Sequence, residues 1–192
     1  MSVTLNKGQS VSLAKTSPTK LSSVRMGLGW DAMKVRGFFG GYKEQAIDLD
    51  ASCLVFDAAG NLIDQVWFKQ LASADDAIKH MGDNTTGAGD GDDESIVVAL
   101  ESLQLAAHTL VFVVSSYSGQ SFSQIENAFC RLVNSSNEAE LARFDLSGSG
   151  PHTAQVMAKL ARSGDSWEMT AIGTKTDGRS IRDLVSAAAA AL

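Results

Sequence analysis

The chain is poor in proline, cysteine, histidine and aromatic residues, and each scarcity removes a class of protein. Two prolines among 192 residues, with 44% hydrophobic and 20% charged residues, exclude a proline-rich or disordered chain and describe one that folds around a core. Two cysteines exclude a disulfide framework; Cys53 and Cys130 lie in the apolar runs ASCLVF and NAFCRLV and read as buried, reduced thiols. The three histidines, His80, His108 and His152, are scattered, and no HExxH, GxSxG or P-loop motif accompanies them. No window reaches the roughly 18 apolar residues of a membrane span, and the opening MSVTLNKGQSVSLAK has no continuous apolar stretch, so a cytoplasmic location is expected, without membrane insertion. Basic residues are outnumbered as well: 16 Lys and Arg against 22 Asp and Glu give a net charge of −6, which opposes nucleic-acid binding and favours a cationic partner.

What the chain does have is alternation. Apolar and polar residues exchange with period two through most of its length, the pattern of half-buried strands. Val3 and Leu5, then Val11 and Leu13, flank Asn6-Lys7-Gly8-Gln9, which reads as a hairpin turn. The pattern returns from Val24 to Trp30 and from Ile47 to Val55, before a turn at Gly60-Asn61. Later strands are expected at 66–70, 95–100, 109–115, 128–133, 140–146, 155–161 and 167–172. About ten strands punctuated by Gly, Asn, Asp and Ser predict a mainly β protein, a sandwich or barrel, formed by residues 1–192 as one domain. Ile181, Leu184, Val185 and Ala188 recur at helical spacing, so a C-terminal helix over 180–192 packs on the sheets. Residues 34–46, with three glycines, read as a mobile connection, and a short helix or turn is expected near 122–127.

Charge is concentrated in one place. Gly82 to Glu94, GDNTTGAGDGDDE, holds five carboxylates and four glycines in thirteen residues. Like charges at that density repel unless a cation lies among them, and a glycine-rich backbone can turn its carbonyls toward such an ion. Ca²⁺ takes six to eight oxygen ligands, whereas Mg²⁺ prefers fewer protein ligands and Zn²⁺ prefers Cys and His, so the donor set favours calcium over a merely solvated loop. The loop is no EF-hand: Thr85, Gly87 and Ala88 stand where Asp or Asn and the turn glycine are required. A second acidic feature is Ile47-Asp48-Leu49-Asp50-Ala51-Ser52, where period two puts Asp48, Asp50 and Ser52 on one face and Ile47, Leu49 and Ala51 toward the core. Asp31, after Gly27-Leu28-Gly29-Trp30, ends an earlier strand within reach of the same place.

With these motifs in order, VSLAK, GLGWD, IDLDAS, GDNTTGAGDGDDE, ENAFCRLVN and ARFDLS, the chain resembles the TerD-like domain of the tellurium-resistance family of bacterial stress proteins, and within it the TerZ-type members. The resemblance covers nearly the whole chain. It implies a β-sandwich of two antiparallel sheets, calcium held by acidic loops, and a part in resisting tellurite and other stresses without catalysis, alongside other proteins of the stress-resistance system. The ligands it implies are Asp31, Asp48, Asp50, Asp83, Asn84, Asp90, Asp92, Asp93 and Glu94. Thr85 and Ala88 depart from the family's frequent Leu and Glu, which removes one donor and leaves the number of ions open; Gly37 to Gly41 form an insert like that of TerZ-type members.

Two other classes compete. The same carboxylates could hold a catalytic ion in a metal-dependent hydrolase or phosphotransferase. A carbohydrate- or peptide-binding sandwich would show exposed aromatics beside the site, for which Trp30 and Trp67 are the candidates.

Overall fold

The computed structural model describes residues 3–4, 6–13, 21–31, 33–36, 40–86, 91–146 and 150–192, of which 3–4, 33–36 and 42–45 are described by their backbone alone. Its strands are β1 (Val3–Thr4), β2 (Ser10–Ser12), β3 (Ser23–Asp31), β4 (Met33–Arg36), β5 (Tyr42–Gln45), β6 (Leu49–Phe56) and β7 (Leu62–Val66). There follow β8 (Ile78–His80), β9 (Glu94–Ala99), β10 (Thr109–Ser116), β11 (Glu126–Asn134), β12 (Ala139–Asp145), β13 (Ala154–Ser163), β14 (Ser166–Thr176) and the helix α1 (Ile181–Ala189). Two six-stranded sheets face each other, in the orders β1-β12-β11-β3-β9-β8 and β2-β14-β13-β10-β6-β7, and β4 and β5 pair separately. The pairings are antiparallel apart from β1, which lies parallel to β12. The mainly β sandwich that the sequence predicts is the observed architecture.

Strand pattern follows what covers each face. β9 and most of β14 alternate buried with partly exposed positions, because one face meets the core and the other meets solvent. β6 and β10 are buried at every position. Leu49, Ala51, Cys53 and Val55 enter the core between the sheets, while Leu54, Phe56, Val111 and Val113 pack outward under Ile181, Leu184 and Ala188 of α1. The helix begins where the Asp183 carboxylate accepts hydrogen bonds from the backbone N–H groups of Arg179 and Ser180, each at 3.0 Å, and from the Ser180 hydroxyl at 3.1 Å. No helix among the described residues is long and apolar enough to cross a membrane.

Several expectations are corrected. The turn at Asn6 to Gln9 exists, with the Gln9 N–H donating to the Asn6 carbonyl at 2.9 Å. It joins no hairpin, because β1 continues to one sheet and β2 to the other, where the Gly8 N–H bonds the Ala171 carbonyl at 2.7 Å; Leu5 lies outside the described residues. Residues 34–46 are no loose connection: β4 and β5 pair from Met33 with Gln45 to Arg36 with Tyr42, while 37–39 lie outside the described residues. The strand expected at 66–70 is β7, displaced toward the N-terminus, and Trp67 to Gln70 close a tight turn with a mutual bridge. Near Phe122 the chain makes a turn, Gln124 N–H to Ser121 carbonyl at 2.9 Å, and enters β11.

Leu184 is fully buried between α1 and the sheet. Leu184→Ala is expected to lower unfolding free energy by about 2–5 kcal/mol in urea denaturation, and Leu184→Met by less than about 1.5 kcal/mol.

Candidate metal centre

Three sequence motifs converge because backbone groups at the ends of strands need partners. At the end of β3 the Trp30 N–H donates to Asp93 Oδ2 at 2.9 Å, and the Asp93 N–H donates to the Leu28 carbonyl at 2.8 Å, so the acidic segment runs alongside β3. The indole N–H of the buried Trp30 donates to the Ile47 carbonyl at 2.9 Å, which fixes the entry to β6 against the same spot. Gly27 and Gly29 permit this approach. A Cβ on Gly27 would collide with the Asp92 carboxylate, and one on Gly29 with the Gly91 carbonyl and, at 2.5 Å, the Phe129 ring.

Glu94, the first residue of β9, joins the two sheets. β7 pairs with β6 only from Cys53 onward, which leaves the Ala51 N–H on that edge without a strand partner. Glu94 Oε2 accepts it at 2.7 Å and Oε1 accepts the Asn84 N–H at 3.2 Å. His80 Nε2 stands 3.5 Å from Oε2, and His80 Nδ1 accepts the Gly82 N–H at 3.3 Å, an arrangement that puts the ring proton on the nitrogen facing Glu94. Burial pushes the Glu94 carboxyl above its usual value, while His80 and the two backbone donors pull it back.

Beside Glu94 stand Asp48, Asp50 and Asp83, each offering an oxygen within 4.8 Å of the others. Two oxygens sharing one ion at about 2.4 Å can be no more than about 4.8 Å apart, so the three fit a common ion. Asp50 is 4% exposed. Burial first, then the charges of Glu94, Asp48 and Asp83, push its carboxyl up to about 8, against a smaller opposing pull from Lys69. Asp48 is raised by burial and by Asp83. Asp48 Oδ1 and Asp50 Oδ2 are buried with no hydrogen-bond partner among the described residues, which is uncommon for carboxylate oxygens.

The other expected ligands are arranged differently. Asn84 Nδ2 donates to Asp93 Oδ1 at 2.9 Å, and Asn84 Oδ1 accepts from the Thr86 N–H at 3.0 Å and from the Thr86 hydroxyl at 2.9 Å. Asp93 is raised by burial, with Asp31 and Asp92 adding to the effect and the Trp30 N–H opposing it. Asp31 is exposed at the end of β3 and accepts from Asn127 Nδ2 at 2.6 Å. Asp92 is held by Arg25 and by Arg131, whose Nε lies 2.7 Å from Oδ1. Asp90 lies outside the described residues. Sequence reasoning did not anticipate Arg25 and Arg131 as partners of the loop, although alternation places Arg25 on the face of Gly27 and Gly29.

Groups that would support other chemistry are elsewhere. The thiols are buried, and burial raises Cys130 to about 12 and Cys53 higher still. His152 stacks on Phe122 at 5.0 Å between ring centroids and its Nε2 lies 3.1 Å from Gln155 Oε1. Trp30 and Trp67 are both core residues.

The TerD domain family matches residues 1–187 of the chain. The tellurium resistance protein TerZ of Serratia marcescens is 46% identical over 186 residues, covering 96% of this chain and 95% of that protein. The tellurium resistance protein TerD of an Alcaligenes species is 40% identical over 181 residues, covering 90% of each. The crystal structure of a homologue of telluride resistance protein (TerD) from Streptomyces coelicolor A3(2) superposes with a TM-score of 0.71 at 19% identity, over 86% of this chain and 95% of that one, and shares its fold. The chain therefore belongs to the TerD-domain family of tellurium-resistance and stress-response proteins.

Proposed function

We propose that the protein is a calcium-binding, non-catalytic module of the stress response, whose acidic loops order around the ion and present a surface to other proteins of the tellurite-resistance system in the cytoplasm. The observation that carries this reading is the Asp48, Asp50 and Asp83 group, with two buried carboxylate oxygens lacking partners among the described residues. Burying ionised carboxylates side by side is costly, and a divalent cation reverses the sign of that cost. Asp48, Asp50 and Asp83 would hold the ion. Glu94 and Asn84 adjoin it, and Asp93 and Asp31 form an acidic group linked to it through the Asn84 side chain. Asp92 already has two guanidinium partners and is the least suited to bind metal.

The donor set is all oxygen, which suits a hard cation such as Ca²⁺. When bound, the ion supplies charge neutralisation and cross-linking. The protein supplies geometry: Glu94 pins β6 to β9, and the Trp30 indole pins the entry to β6. His80, the histidine nearest the group, is turned with one nitrogen toward Gly82 and the other toward Glu94, so no imidazole stands ready to take a proton from water. That orientation favours the non-catalytic reading over a hydrolase. The burial of Trp30 and Trp67 removes the two aromatics that the carbohydrate reading named, and leaves it the exposed Tyr117, whose N–H bonds the Asp48 carbonyl.

Isothermal titration of the chelator-treated protein with Ca²⁺ is expected to give a saturable binding heat. Calcium at about 100 times its dissociation constant should add about 2.7 kcal/mol of stability. Asp50→Asn should abolish most of the heat while leaving the ion-free protein folded and more stable at pH 8. No heat at millimolar Ca²⁺, with an unchanged melting temperature, sinks the calcium reading. Turnover of generic phosphatase or esterase substrates that depends on added Mg²⁺, Mn²⁺ or Ca²⁺ and disappears in Asp50→Asn sinks the non-catalytic one.

Stability should also vary with pH in a defined sense. Asp50 has a folded value of about 8 against an ordinary 3.8, so the folded protein binds this proton more tightly than the unfolded chain does. Its stabilising contribution is therefore complete below pH 3.8 and is lost as pH rises through about 8. The raised Asp48, Asp93 and Glu94 act in the same sense. Melting curves of ion-free protein between pH 5 and pH 8 are expected to fall with pH, and the increment produced by Ca²⁺ to grow. A flat or rising ion-free profile contradicts the burial of these carboxylates.

A further inference from the structure

One buried polar side chain remains unaccounted for on the same face as the carboxylates. β10 reads TLVFVVSS, apolar from Leu110 to Val114, and Ser115 is 1% exposed with its Oγ lacking a hydrogen-bond partner among the described residues. Buried hydroxyls ordinarily bond to something, and the backbone acceptors around this one are consumed by the ladders to β6 and β13. The register sets Ser115 directly opposite Asp50 on one side and Ala154 on the other. Ala154 offers no polar side chain. Asp50 offers Oδ2, itself buried and without a partner among the described residues. Facing residues on paired strands have Cβ atoms about 4.5–5.5 Å apart, so the two side chains stand next to each other on one face of the sheet.

We propose that Ser115 belongs to the metal centre as a positioning residue, its hydroxyl and the Asp50 carboxylate jointly holding a water of the ion's coordination shell. This rests on the calcium reading of Asp48, Asp50 and Asp83 and adds to it a residue outside both acidic motifs. Water suits the pair because it donates to the carboxylate while exchanging a hydrogen bond with the hydroxyl, and no direct bond joins Ser115 to Asp50. Calcium takes more oxygens than three carboxylates need supply, so a water in the shell is ordinary for such a site. Ser115 thereby extends the centre from the edge of β6 onto the neighbouring strand. The Tyr117 N–H, two residues on, donates to the Asp48 carbonyl at 3.0 Å and keeps β10 in register beside both aspartates.

The test compares calorimetric Ca²⁺ affinity and ion-free melting for the wild type, Ser115→Ala and Ser115→Thr in the full chain. Removing the hydroxyl is expected to weaken Ca²⁺ binding by roughly tenfold or more, as loss of an outer partner does at other metal sites. The ion-free melting temperature should hold or rise, since an unpaired buried hydroxyl has gone. Ser115→Thr, which keeps the hydroxyl, should bind within about twofold of the wild type. Wild-type affinity in Ser115→Ala overturns the assignment of Ser115 while leaving the calcium reading intact. Equal weakening in Ala and Thr variants, together with a lowered ion-free melting temperature, also overturns it, because packing is then the cause. Absence of binding in the wild type overturns the calcium reading itself, and the role of Ser115 with it.

Discussion

The arrangement depends on one backbone N–H that the sheet cannot satisfy. β7 stops short of the first half of β6, so Ala51 presents its N–H to an open edge, and Glu94 reaches across from the other sheet to accept it at 2.7 Å. A buried carboxylate is costly, and Glu94 is tolerable because the Asn84 N–H and His80 share its charge. The same reach draws the start of β9, and therefore the acidic segment before it, onto the edge where Asp48 and Asp50 stand. The Trp30 indole, bonded to the Ile47 carbonyl, pins the approach to β6 from the other direction. Crowding of carboxylates is thus a consequence of closing the side of the sandwich.

Strands were legible where burial was one-sided. β9 and most of β14 alternate because solvent covers one face; β9 lies within one residue of the expected 95–100, and β14 contains the expected 167–172 but runs from Ser166 to Thr176. β6 and β10 were located, but the expectation that one face of β6 meets solvent was wrong in its physics: α1 covers that face over Leu54 and Phe56, and Asp50 and Ser52 are buried beside them. Three of the short elements were not legible. β8 has three residues and β4 and β5 four each, too few for a period to declare itself, and the glycines between β4 and β5 suggested a loop where there is a hairpin. The Asn6 turn shows a different limit. Turn chemistry is local, whereas the choice of sheet for each flanking strand is decided by distant edges on β12 and β14.

The candidate centre was legible in its carboxylates and not in their partners. Asp50 in β6 and Asp48 just before it stand two residues apart, and their placement side by side is what period two expects. That Asp83 joins them, within 4.8 Å, requires the loop to fold back across the edge, which the motif's composition suggested and its spacing did not specify. Asp92 shows what composition conceals: its arginine partners lie 67 and 39 positions away along the chain, on β3 and β11. Gly27 and Gly29 were readable as a motif, yet their reason, room for Asp92 and Gly91 over the sheet, exists only once the loop is in place.

The loop therefore meets one electrostatic problem in two ways. At its C-terminal end Asp92 is neutralised by Arg25 and Arg131, permanent charges on strands of the sheet, and Asp93 and Glu94 bond to backbone N–H groups of β3 and β6. This end is held by partners that belong to the chain itself. At its N-terminal end Asp83 is exposed and faces Asp48 and Asp50, and Lys69 is the one opposing charge on Asp50 among the described residues. Two guanidinium groups cannot leave, whereas protons and cations can. At the Asp83 end a change of proton occupancy alters the balance among three carboxylates. The Asp92 to Glu94 end stays tied to β3 and β6 through the Trp30 and Ala51 N–H groups.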